Sequence, residues 1–177
     1  MIKHRIELLT LLPLGAVMAE VGVAEGNFSN DLLSDGKLST LYSVDLWGTI
    51  EGVTGDGNFP QEWHDKNYES AKQKLEKFGK RSIILRGMSV KMAEHIEDGS
   101  LDAVYLDAAH YKEGVKADLE AWYPKVKSGG IVAGHDYLNL DYGVFEAVGE
   151  FTAALGIGGF QIPENNINDA SFYFIKK

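Results

Sequence analysis

The sequence predicts an α/β fold, a three-layer sandwich in which a seven-stranded, mostly parallel sheet carries helices on both faces. Two observations predict it. Short apolar runs of strand length alternate with helix-period segments from one end of the chain to the other. The runs also close on polar residues: Glu20, Asp45, Arg86, Asp107 and the pair His135-Asp136. In an open α/β sheet those positions converge on the edge where ligands bind. At 177 residues the chain is read as one domain, residues 1–177, long enough to bury a real core.

The elements follow in order. Residues 2–12 place Ile6, Leu8, Leu9, Leu11 and Leu12 in a short helix that stops at Pro13. Residues 16–21 are an apolar run, the first strand. Residues 27–33 open a helix, and Asp35-Gly36 mark the turn after it. Residues 41–46 form the second strand, which ends around Asp45. Residues 48–58 hold Gly48, Gly52, Gly55 and Gly57 and read as a loop. Residues 63–78 carry Tyr68, Ala71, Leu75 and Phe78 at helical spacing, with Gly79 where a helix C-cap belongs. The third strand spans 82–85 and a short helix 90–96. Residues 101–106 are the fourth strand. Residues 111–123 align Val115, Leu119 and Trp122 on one helical face, and Pro124 ends it. Ser128-Gly129-Gly130 make a turn before the fifth strand, 131–133. Residues 142–155 align Val144, Val148, Phe151 and Leu155. The last two strands, 158–162 and 170–175, form an antiparallel C-terminal hairpin.

Composition excludes several classes of function. Apolar residues make up 45% and charged residues 24% of the chain, ordinary for a globular protein. The net charge is −9 and no block of Lys and Arg stands out, so no nucleic acid partner is expected. Without cysteine, disulfides and thiolate metal sites are excluded. No run reaches the roughly 18 apolar residues of a membrane span, so no membrane partner is expected. Lys3, His4 and Arg5 precede an apolar run that superficially matches a signal peptide. Glu7 and Pro13 interrupt it, and cleavage would remove the first strand; the chain is read as cytoplasmic.

The segment 19–29, AEVGVAEGNFS, carries the most chemistry. A strand, a tight turn of small residues and a helix start together cradle a nucleotide-like ligand. Gly22, Ala24 and Gly26 let the backbone approach it, and the helix start offers unpaired N–H groups. The spacing departs from the G-x-G-x-x-G of dinucleotide enzymes.

With the elements that follow it, this loop resembles class I S-adenosylmethionine-dependent methyltransferases over nearly the whole chain. Glu20-x-Gly22-x-Ala24-x-Gly26 is similar to the family's acidic-x-Gly-x-Gly-x-Gly loop, with Ala for the middle Gly. Asp45 ends the next strand, where the family holds the cofactor ribose. Arg86-Gly87-Met88-Ser89 follows the third strand, where the family contacts adenine. LDAAH at 106–110 and SGGIVAGHDY at 128–137 match the later elements, with Ser128 for the usual proline. The resemblance implies a Rossmann-like fold and S-adenosylmethionine held by Glu20, Gly22, Val23, Gly26, Ser29, Asp45, Leu46, Gly87, Met88, Ser89 and Asp107.

Within that family the chain is similar to the small O-methyltransferase-like proteins, which implies a small-molecule acceptor and methyl transfer to oxygen. Metal-dependent members place an acid at the end of the fourth strand and two ligands after the fifth. Asp107, His135 and Asp136 fall at those positions, for Mg²⁺ or Mn²⁺. The subgroup has Asp-Asn or Asp-Asp where this chain has His-Asp. His110, three positions after Asp107, falls where the subgroup puts a basic residue and is the candidate general base. A hydrogen-bonded polar cluster without metal is the alternative for the acids. Trp47 and Trp63, with His64, flank the glycine-rich loop and read as a lid or as anchors. Trp122 reads as packing, and Glu113 and Lys116 as a solvated face. The subgroup's N-terminal extension is nearly absent, so a neighbouring copy can complete the pocket as a homodimer. Two other functions stay open: a nicotinamide-dependent oxidoreductase and a non-catalytic cofactor-binding module.

Overall fold

The computed structural model describes residues 2, 4–51, 58–157 and 170–177. Six strands form one sheet: β1 (Ala16–Val21), β2 (Leu38–Asp45), β3 (Ser82–Arg86), β4 (Leu101–Leu106), β5 (Val126–Gly134) and β6 (Phe172–Ile175). Five helices join or flank them: α1 (Asn27–Ser34), α2 (Gln61–Leu75), α3 (Ser89–Ala93), α4 (Lys112–Trp122) and α5 (Val144–Ala154). The order across the sheet is β3-β2-β1-β4-β5-β6. All pairs are parallel except β5 with β6, which are antiparallel.

Strands β1 and β4 are central and apolar on both faces, so helices cover both sides. Ala16 and Met18 face a layer built from the N-terminal segment and α1, with Leu8, Leu9, Leu32 and Leu33. Ala19 and Val21 face a layer with Val115, Leu119, Trp122 and Val148 from α4 and α5. The chain crosses over between β1 and β4, leaving a crevice at the carboxyl edge.

Four sequence expectations are corrected. The sheet has six strands among the described residues, not seven. The expected strand at 158–162 lies outside the described residues, and the C-terminal strand pairs with β5. The N-terminal helix is a 3-10 helix, Arg5–Leu11, because the segment is short and Pro13 blocks its extension. The turn at Ser128–Gly130 sits inside β5, not before it. Pairing jumps from Leu101–Val126 to Ala103–Ile131, and Gly129 takes φ +79°. The Gly129 N–H donates to the Lys176 carbonyl at 2.8 Å, and the Lys176 N–H donates to the Gly130 carbonyl at 2.9 Å. Those bonds keep the bulged stretch in the sheet. The short helix after β3 is Ser89–Ala93 rather than 90–96.

Candidate active site

The loop after β1 is shaped by two close approaches. A Cβ at Gly22 would lie 1.9 Å from the Asp107 carbonyl oxygen, and φ there is +93°. The Asp107 N–H donates to the Val21 carbonyl at 2.7 Å. Only glycine lets the turn after β4 press on the turn after β1 in this way. A Cβ at Gly26, with φ +79°, would lie 3.0 Å from the Ala71 Cα, so this glycine admits α2.

Asp45 stitches the loop together. Its Oδ2 accepts the N–H groups of Val23 at 2.8 Å and Ala24 at 2.9 Å. Its Oδ1 accepts the Trp47 N–H at 2.7 Å. A carboxylate offers about four acceptor positions, so one more donor, such as a ribose hydroxyl, can still be received. Trp47 is buried, and its Nε1–H donates to the Ala24 carbonyl at 2.8 Å. Trp47 is thus an anchor. Trp63 is 41% exposed and packs at a tilt of 40° against Phe59, with ring centroids 4.4 Å apart. Ala24, Trp47 and Asp136 are the non-glycine residues with positive φ among the described residues, at +49°, +41° and +55°. Each lies just past a strand at the ligand edge, where backbone strain of roughly 1–3 kcal/mol is characteristic of functional sites.

Glu20 faces inward. It is 2% exposed and accepts a hydrogen bond from the Ser29 hydroxyl, which also meets the Ser43 hydroxyl at 2.8 Å. Burial pushes its carboxyl up to about 8, against the pull of the Ser29 bond. Glu20 and Ser29 therefore hold α1 on the sheet, with Ser29 fully buried.

Beside Asp45, at the end of β3, Gly87 donates its N–H to the Asp45 carbonyl at 2.9 Å. Met88 is half-exposed. Leu46 is partly buried beside Asp45. Ser89 turns away from the crevice toward α4. Arg86 reaches over the edge to the Trp47 carbonyl at 2.7 Å and to Asp65 at 3.0 Å.

Four ionisable residues converge beyond β4 and β5. His110 Nε2 lies 3.1 Å from Asp136 Oδ2 and 3.9 Å from Asp107 Oδ1. His135 Nδ1 lies 3.3 Å from Asp136 Oδ2 and 3.8 Å from Asp107 Oδ1. Burial opposes ionisation of Asp136, but the hydrogen bonds from His110 and His135 win and hold its carboxyl well below the usual range. Burial likewise works against the His135 cation, and Asp136 and Asp107 outweigh it, raising its pKa. Ligand atoms of Asp107, His110 and Asp136 all lie within 4.8 Å of one another, a spacing that can hold a metal ion. Sequence reasoning named Asp107, His135 and Asp136 for that role; the geometry groups His110 with the two acids.

Two contributors were missed. Arg5 pairs with Asp107 Oδ2 at 3.4 Å, its guanidinium 4.4 Å from the Phe28 ring centroid. Its place in an N-terminal basic spot gave no hint of this reach across the sheet. Tyr142 stacks on the His110 ring at 4.6 Å between centroids and 15° between planes. The Gly143 N–H donates to the His110 carbonyl at 2.8 Å.

The comparisons with known proteins fit this geometry. A family model described as a methyltransferase domain matches residues 19–137, from the glycine loop to the end of the acid–histidine cluster. The chain therefore belongs to the methyltransferase-domain family. An uncharacterized protein, y4gI, from Sinorhizobium fredii is 30% identical over 102 residues, 57% of this chain and 10% of that protein's length. Among solved structures, an rRNA methylase from Streptococcus thermophilus is similar with a TM-score of 0.67, 16% identity, 99% of this chain covered and 98% of that one. SMU.1697c from Streptococcus mutans, solved with S-adenosylhomocysteine, has a TM-score of 0.65, 18% identity, and 98% and 97% coverage. The O-methyltransferase NovP has a TM-score of 0.65 and 20% identity, with 96% of this chain and 74% of that one covered. At these identities the structures share the fold. The family match sets aside the nicotinamide alternative. No helix among the described residues is long and apolar enough to cross a membrane.

Proposed function

We propose that this methyltransferase transfers the methyl group to a hydroxyl oxygen of a small acceptor molecule at the cluster of Asp107, His110, His135 and Asp136. The observation that carries it is the His110 imidazole, clamped between Tyr142 and Asp136 beside the glycine loop. S-adenosylmethionine, when bound, supplies a methyl group activated on a sulfonium. Gly22, Val23, Gly26 and Asp45, with Gly87 and Met88 beside them, would hold it, and the remaining acceptor capacity of Asp45 supports that reading. With that group bound, the acceptor oxygen would displace the methyl group from the sulfonium, which would be left as a thioether, and His110 would take the acceptor's O–H proton. Asp136 stabilises the imidazolium, and Arg5 orients Asp107.

The same donor set fits a divalent ion. His110 Nε2 is buried among carboxylate oxygens, and two carboxylates with an imidazole suit Mn²⁺ or Zn²⁺ better than Mg²⁺. Held by Asp107, His110 and Asp136, with His135 beside them, such an ion would make His110 a ligand instead of the base and would itself ease loss of the acceptor proton by lowering the pKa of the hydroxyl.

A net charge of −9 and carboxylates at the crevice support a small acceptor over a polyanion. The resemblance to an rRNA methylase makes RNA the second reading, against the expectation of no nucleic acid partner. A transfer assay with radiolabelled S-adenosylmethionine decides between them. Small hydroxylated aromatics and sugars are expected to accept label, and labelling of ribosomal RNA alone would overturn the proposal.

A further inference from the structure

Arg5 brings a positive charge to the part of the sheet edge where β1, β2 and β4 close on the acids Glu20, Asp45 and Asp107. It opens the N-terminal 3-10 helix Arg5–Leu11. Leu8 and Leu9 of that helix are buried and anchor it in the core beside α1. The guanidinium lies 4.4 Å from the Phe28 ring centroid and 5.9 Å from that of Tyr105. The two rings pack on each other with centroids 5.0 Å apart. Phe28 is in the first turn of α1, straight after the glycine loop. Tyr105 is the register neighbour of Glu20 across β1 and β4. Arg5 Nη1 donates to Asp107 Oδ2 at 3.4 Å, and 35% of the Arg5 side chain stays accessible.

The pair with Asp107 does not by itself account for this placement. A single ion pair between partly exposed groups adds little stability, yet two aromatic rings and a buried helical turn fix the guanidinium here. With the ribose at Asp45 and the methyl group facing His110, the cofactor's sulfonium would lie between the ends of β2 and β4, over the turn after β1. Its third substituent is the amino-acid chain, which ends in a carboxylate and an ammonium. A carboxylate is bound most strongly by charge-assisted hydrogen bonds. Two other cations near the loop have partners elsewhere. Lys74 donates to the Glu25 carbonyl at 2.9 Å and to Asn27 Oδ1 at 2.8 Å. Arg86 holds the Trp47 carbonyl and Asp65. A guanidinium presents its N–H donors in a planar fork that matches a carboxylate.

We propose that Arg5 is a cofactor-binding residue, whose guanidinium donates to the carboxylate of the S-adenosylmethionine amino-acid chain while Asp107 steadies it. The proposal rests on the reading that Asp45 and the glycine loop cradle the cofactor. It makes the N-terminal helix the cap on the amino-acid end of that cradle.

The test is calorimetry on the full chain with two probes. S-adenosylhomocysteine carries the amino-acid chain; methylthioadenosine keeps the adenosine and the sulfur and lacks that chain. The wild-type protein is expected to bind both, S-adenosylhomocysteine the more tightly. Arg5→Gln is expected to weaken S-adenosylhomocysteine about ten- to hundred-fold, the worth of hydrogen bonds to a charged group, and to leave methylthioadenosine within about three-fold. Arg5→Lys, which keeps the charge and loses the fork, should recover part of that loss. Asp107→Asn, which removes the ion-pair partner, should keep the preference for S-adenosylhomocysteine. Far-UV circular dichroism checks the fold of each variant, and if Arg5→Gln does not fold, the same shift in preference is read from Arg5→Lys. An Arg5→Gln protein that binds S-adenosylhomocysteine as tightly as the wild type, or that loses both probes to the same extent, would overturn the proposal. So would an Asp107→Asn protein with the same loss of preference as Arg5→Gln, because Arg5 would then act only through Asp107. A wild-type protein that binds neither probe would defeat the reading of the cradle, and the proposal with it. One that binds both equally would leave the cradle standing and defeat the role of Arg5 alone.

Discussion

Replacing Glu20 by Gln should abolish a large part of the protein's dependence of stability on pH. The Glu20 carboxyl is held up to about 8 from an ordinary 4.5, chiefly by burial and against the Ser29 hydrogen bond. The folded state binds this proton more tightly than the unfolded state. Its contribution is therefore fully present below pH 4.5 and is lost as pH rises toward 8. At about 1.4 kcal/mol for each tenfold change, the loss reaches roughly 3 kcal/mol by pH 7 and on the order of 5 kcal/mol above pH 8. Gln has nearly the same shape, keeps an acceptor for Ser29 and cannot ionise. The two proteins should be nearly equal in stability at pH 5. At pH 7 Glu20→Gln should be about 3 kcal/mol more stable, or roughly 6–12 °C in Tm for a domain of this size. Urea unfolding at pH 5, 7 and 8.5 measures the difference. A stability gap between the two proteins that stays constant across that range would refute the reasoning.

Other outcomes follow from the same geometry. Gly22→Ala puts a Cβ 1.9 Å from the Asp107 carbonyl, and should cost several kcal/mol or prevent folding, read by denaturant midpoint; a cost below about 1 kcal/mol contradicts the close approach. Asp45→Ala removes the acceptor of three backbone N–H groups and should weaken S-adenosylhomocysteine at least ten-fold by calorimetry. His110→Ala should lower turnover by about 10²–10⁴ while S-adenosylhomocysteine affinity stays within a few-fold; unchanged turnover would remove His110 from the chemistry. Chelation by EDTA should abolish turnover, with rescue by Mn²⁺ or Zn²⁺ above Mg²⁺. Full activity after chelation would leave His110 as the base acting alone.

What the sequence made legible, and what it hid, divides along a physical line. The strands were readable because a two-sided buried strand shows itself in a local run, as at Ala16–Val21 and Leu101–Leu106. The site's edge was readable because polar residues close those runs: Asp45, Asp107, His135 and Asp136 lie where strand endings place them. Contacts between segments distant in sequence were not readable. Nothing local tells that Gly129 lies in a bulge inside β5, since the bonds that hold it come from Lys176. Nothing local tells that Arg5 reaches Asp107, or that Tyr142 stacks on His110. Side-chain direction was hidden too: Glu20 sits near the end of β1 as expected, yet its carboxyl points to Ser29 on the core side.

Gly22 sharpens this division. Its place in the motif is consistent with leaving room for a ligand, but its missing Cβ makes room for the Asp107 backbone. The same residue sets the cofactor loop and seats the turn that carries Asp107 and His110. Asp45 acts similarly, as one carboxylate closing the glycine loop on itself and on Trp47. The cradle and the acid–histidine cluster are thus two faces of one packed unit. A substitution intended to alter cofactor binding at Gly22 should therefore be felt first at the acceptor end, as displaced Asp107 and His110.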